Sequence, residues 1–111
     1  MREYRAVMER HAPAPPTELT DGTYRPLPVG FVSFEGFLDA KVLVEVLRRL
    51  GPEPQRARLR AAAESIRGLD LGIGVPVSFG PGKHQGLDQV YYTVAEEGRF
   101  VPVADWKKWA K

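Results

Sequence analysis

Nucleophilic chemistry in this chain would have to start from Ser33, Ser65 or Ser78, because there is no cysteine. An activated serine needs a base within hydrogen-bond reach and a third group to orient that base. Ser33 precedes a long apolar-periodic stretch and reads as its N-cap, Ser65 falls inside a helical pattern, and Ser78 sits in a short strand pattern. Glu35 is a carboxylate available for acid–base work, but an acid so close to a helix start is accounted for by the helix dipole. The two histidines, His11 and His84, are far apart and belong to no ligand spacing, so no metal site is expected. His84 stands in a glycine-rich turn, where a hydrogen-bonding or surface role is the simpler reading.

Two phosphate motifs fail on inspection. Gly80-Pro81-Gly82-Lys83 lacks the earlier glycine of a P-loop, since Val77 occupies that place, and His84 replaces the required hydroxyl. Gly72-Ile73-Gly74 is followed by Val77 and not by the third glycine of a dinucleotide fingerprint. The expectation is a non-enzymatic protein without a cofactor.

Sixteen Lys and Arg balance fourteen Asp and Glu, but the distribution is uneven. Arg48, Arg49, Arg56, Arg58, Arg60 and Arg67 share their stretch with only Glu53 and Glu64. Such an excess attracts phosphate or an acidic partner when it is concentrated, and otherwise solvates a helix pair. Stacking aromatics are not interleaved with it: Tyr91, Tyr92 and Phe100 fall elsewhere, with Arg99 alone beside them. A basic helix pair contacting nucleic acid is therefore a third-ranked reading, and no nucleic-acid partner is expected. Trp106-Lys107-Lys108-Trp109 is too short for a firm membrane anchor and reads as a tail packed on the domain.

The elements that must position these residues follow from period and punctuation. Tyr4, Val7 and Met8 recur at helical spacing, predicting a helix over about 2–12 that prolines 13, 15 and 16 end. Residues 12–30 hold five of the ten prolines and form a long loop. A helix is predicted over 34–50, with Phe37, Ala40, Val44 and Leu47 on one stripe, widened by Val42, Leu43 and Val46, and a stop at Gly51-Pro52. Apolar cover over more than half its circumference is more than one partner helix can bury. A second helix over 54–67 carries Leu59, Ala62, Ala63 and Ile66. A short strand at 75–79 precedes a hairpin whose alternating arm, 89–95, returns through Glu97-Gly98 as 99–103, with Pro102 confining the return to an edge. At 12.4 kDa the 111 residues suit one domain. Its folded surface should be roughly 6,100 Å², against about 18,000 Å² extended. No run approaches ~18 apolar residues, and Met1 to Arg10 is too charged for a secretory signal.

One stretch is more specific than any single motif. Phe31-Val32-Ser33-Phe34-Glu35-Gly36-Phe37, running through an apolar helix to Gly51-Pro52, resembles the C-terminal region of branched-chain amino acid ABC transporter substrate-binding proteins. The similarity continues through Arg56 to Arg67, Leu69-Asp70-Leu71-Gly72, Pro76 to Pro81, His84-Gln85-Gly86, and Val90-Tyr91-Tyr92 to Pro102. It covers nearly the whole chain. The resemblance implies an α/β architecture, the C-terminal portion of a type I periplasmic-binding-protein fold. It implies a small amino-acid-like ligand, a permease partner in the full-length family and a periplasmic location, although without a signal segment this stretch alone would stay cytoplasmic. The parent proteins have two lobes and are about three times longer, so the chain is expected to be a fragment with weakened or absent ligand binding. Phe31, Ser33 and Glu35 are the candidate ligand-binding residues. The alternative is a standalone interaction module, and both readings expect a homo-oligomer because the long helix is too apolar to remain bare.

Overall fold

A helix forms where apolar residues recur on one face, and the longest such run builds the centre of this molecule. The computed structural model describes residues 1–11, 14–20, 22, 23, 27 and 29–108. Helix α1 spans Arg2–His11, α2 spans Phe31–Leu50 and α3 spans Arg56–Glu64. Two antiparallel two-stranded sheets follow: β1 (Leu69–Asp70) with β2 (Pro76–Val77), and β3 (Thr93–Glu96) with β4 (Arg99–Pro102). The chain is thus mixed, with three helices and two small sheets among the described residues.

The core lies where α2 crosses α3. Val46 and Leu50 of α2 meet the fully buried Ile66, with Val42, Ala62, Ala63, Leu69 and Phe79 around them. Alanines on α3 let the two helices approach closely, and burying a side chain such as Ile66 contributes about 1.5–3 kcal/mol. Leu71, just after β1, and Val77, in β2, are buried as well. The Phe79 amide donates to the Ile66 carbonyl at 3.0 Å, and the Gly68 amide to Ser78 Oγ at 2.9 Å, so the strands are stitched to the end of α3. Arg67 Nη1 donates to the carbonyls of Ile66, at 2.9 Å, and Phe79.

Several boundaries differ from expectation. α2 begins at Phe31, not 34, and its N-cap is Gly30, not Ser33. Ser33 occupies the third helical position, where its Oγ accepts from the Gly30 amide at 3.2 Å, the return half of a capping box. α3 covers Arg56–Glu64 and not 54–67. Ser65 Oγ takes the Ala62 carbonyl at 2.7 Å, and the chain then leaves the helix so that Ile66 reaches the core. Of the strand expected at 75–79 only Pro76–Val77 pairs, and its partner β1 is too short to leave a periodic signal. The first hairpin arm starts at Thr93, later than expected, and runs to Glu96. The turn is where the sequence placed it, with Glu97 and Gly98 both at positive φ, 49° and 74°. Trp106 packs edge-on to Tyr92 at 4.9 Å but stays exposed, and Trp109 lies outside the described residues.

This packing covers little. The surface is 9456 Å², about half as much again as the roughly 6,100 Å² of a compact chain of this mass. The radius of gyration is 17.9 Å, against about 13 Å for a compact chain of this length.

Candidate functional site at the amino end of the long helix

Phe31, Ser33 and Glu35 fall together in the first turn and a half of α2, a place set by contacts from two distant segments. From α1, Tyr4 inserts its ring between Phe34 and Phe37, with ring centres 5.1 and 5.5 Å away, and is 1% exposed. Its hydroxyl lies 2.5 Å from Ser33 Oγ. A consistent set of donors has Tyr4 donating to Ser33, Ser33 donating to the Gly30 carbonyl at 3.1 Å, and the Gly30 amide donating back to Ser33. Glu3 adds an ion pair with Lys41 Nζ at 2.6 Å, and that ammonium sits 5.7 Å from the centre of the Phe37 ring.

From the hairpin, Phe100 meets Phe31 edge-on at 5.0 Å. Phe31 and Glu35 are one helical turn apart and both exposed, so an aromatic pair and a carboxylate share one face. The first-turn amides of α2 have no carbonyl a turn behind them and point toward this end, the positive end of the helix dipole. Ser33 contributes differently. Its hydroxyl is engaged by Tyr4 and Gly30, so it braces the helix start.

A second constellation, not singled out in the sequence, joins α3 to the loop after β2. Glu64 Oε1 accepts from Arg60 Nε at 2.8 Å and from His84 Nε2 at 3.0 Å. The Arg60 hydrogen bond first, then that of His84, holds the Glu64 carboxyl below the usual carboxylate range. With Ala63 and Phe79 these residues line a shallow groove of about 360 Å³. The i,i+4 spacing of Arg60 and Glu64 was legible, whereas the approach of His84 across twenty residues was not. A larger depression, about 670 Å³, lies along Glu96, Glu97, Arg99 and Val101 of the hairpin and touches none of the three candidates.

The arginine cluster divides on inspection. Arg60 is paired with Glu64, Arg49 with Glu45 and Ser65, and Arg67 is turned onto backbone carbonyls. Arg67 is therefore a structural residue and not a solvating one. Among the described residues no three His, Asp or Glu side chains gather in a way that could hold a metal ion, and no helix is long and apolar enough to cross a membrane. Comparison of the chain with protein-family models, curated proteins and solved structures finds no match.

Proposed function

We propose that the chain is a non-enzymatic solute-binding unit, the C-terminal portion of a two-lobed binding protein for branched-chain or related amino acids. The resemblance of Phe31 to Pro102 to that family supports this reading. The structural observation that carries it is the Phe31–Phe100 contact, which seats the hairpin beside the amino end of α2. The two rings offer an apolar wall for an aliphatic side chain, the first-turn amides offer donors for a carboxylate, and Glu35 offers an acid for an ammonium. These groups converge from one side only. A zwitterion held on one open face keeps its hydration, and its charge contacts stay weak in high dielectric. The excess surface of the molecule agrees with a wall that awaits an opposing one.

Titration calorimetry with leucine, isoleucine and valine tests the reading in two arms. The chain alone should bind with millimolar or undetectable affinity. Mixed with the separately prepared first lobe of a branched-chain amino acid-binding protein, it should bind about a hundredfold tighter, and Glu35→Gln should remove most of that gain. No gain in the mixture overturns the proposal, and micromolar affinity in the chain alone overturns its one-sided geometry.

A further inference from the structure

We infer that the aromatic slot at the amino end of α2 is a binding site for a small para-substituted phenol, which α1 fills from within the chain. What the slot accepts is read from its present occupant. The Tyr4 ring stands between Phe34 and Phe37, tilted 56° and 52° to them, in the inclined geometry that aromatic pairs favour. Past the rings its hydroxyl meets Ser33 Oγ at 2.5 Å, the Gly30 amide at 3.3 Å and the Gly30 carbonyl at 3.4 Å. It donates to Ser33 Oγ and accepts from the Gly30 amide, which it shares with that same serine. A ring without a hydroxyl leaves these polar groups unmet, and an aliphatic alcohol leaves Phe34 and Phe37 unmet. The match is to a phenol.

The arm that fills the slot is thinly held. Tyr4 is the one buried side chain of α1, Val7 and Met8 are half-buried, and the rest of the helix is exposed. Its 10 residues are too few to stay helical alone, since even about 12–15 are marginal in water. Undocking therefore unfolds α1, while Val46 and Leu50 keep the core packed at the far end of α2. The connection through residues 12–30 holds the arm near the slot, at an effective concentration on the order of millimolar. That magnitude decides which occupant can replace it. The Tyr4 of a second copy, at micromolar protein, loses to the tethered one, whereas a small phenol supplied at millimolar concentration competes. A phenol in the slot turns residues 1–11 into a free arm.

The probe is p-cresol, the tyrosine side chain as a free molecule, and its control is toluene, which lacks the hydroxyl. On the full chain carrying Tyr4→Ala, calorimetry should show p-cresol binding with a Kd of about 1 mM or tighter, and toluene at least about tenfold weaker. Adding Ser33→Ala should remove most of that preference. The unaltered chain supplies a second arm that needs no variant to fold. There, about 5 mM p-cresol should speed tryptic cleavage after Arg5 and Arg10 at least about threefold, because cleavage follows the undocked population. Toluene should not, and cleavage after Arg58, in α3, should stay as it was. None of these readouts involves an amino acid, so the inference fails separately from the functional reading. No p-cresol binding by the Tyr4→Ala chain, toluene held as tightly, or cleavage in α1 that p-cresol does not speed would each overturn it.

Discussion

The Tyr4 hydroxyl and Ser33 Oγ, 2.5 Å apart and 29 residues distant in sequence, tie the first helix to the start of the second. Tyr4 is also the most deeply buried residue of α1, so the apolar part of that helix's docking centres on its ring, with the Glu3–Lys41 ion pair beside it. Tyr4→Phe should cost about 1 kcal/mol by removing the hydroxyl, and Tyr4→Ala about 3–5 kcal/mol by emptying the space between Phe34 and Phe37. Urea melts of the two variants check the order. Equal losses would show that the ring adds nothing beyond the hydrogen bond.

Arg67 and its helical neighbours should separate cleanly. Replacing Arg67 by Ala removes the side-chain donor from the Phe79 carbonyl and one of two donors from that of Ile66, which keeps the Phe79 amide, and should cost about 1–3 kcal/mol. Arg56→Gln with Arg58→Gln, on exposed positions, should change stability by less than ~0.5 kcal/mol. Denaturant midpoints of both variants give the comparison. Retention on a polyanion column that falls steeply with salt would instead assign the cluster to nucleic acid.

Glu64 makes a prediction about acid. Its carboxyl is held below its ordinary value by Arg60 and then His84, so in the carboxylate range the unfolded chain binds the extra proton. Its contribution is therefore complete above about pH 4.3 and is lost as the pH falls through the lower folded value. Glu64→Gln should flatten that part of the stability–pH curve. Unchanged acid steepness in the variant would mean that other carboxylates carry the transition.

Gly86 is sensitive for a steric reason. A Cβ there would sit 2.8 Å from both Phe79 Cζ and Val77 Cγ1, closer than real contacts allow. Gly86→Ala should cost about 1–3 kcal/mol through overpacking. Gly82→Ala, four residues earlier with open space around its Cβ position, is the control. Thermal unfolding of the pair decides it.

What could be read from the sequence was local. The period of α2 and the Glu97-Gly98 turn are written in adjacent residues, and both formed. The α2 boundary was misread because a serine three residues into a helix has the same hydroxyl as a serine before it. Only the backbone of Gly30, extended at φ −146°, tells the two apart. β1 is two residues long, which is below the length at which alternation exists. At the candidate site, an expected helix start at 34 left Phe31 outside the helix, so its i,i+4 relation to Glu35 appears only once Gly30 is the cap, and Tyr4 reaches Ser33, and Phe100 reaches Phe31, only through tertiary packing.

The register of the hairpin carries one more consequence. The Val103 amide donates to the Tyr92 carbonyl at 2.9 Å, and counting by twos from that pair turns residue 102 outward on β4. That residue is Pro102, which has no amide to offer. A strand arriving on the β4 side therefore finds a gap in its row of donors, while the β3 side stays open through Thr93 and Ala95. The Phe100 amide is the one donor β4 still turns outward, so the β3 side is the better template for an added strand, and two such hairpins would pair more readily β3 to β3 than in a ladder continued through β4.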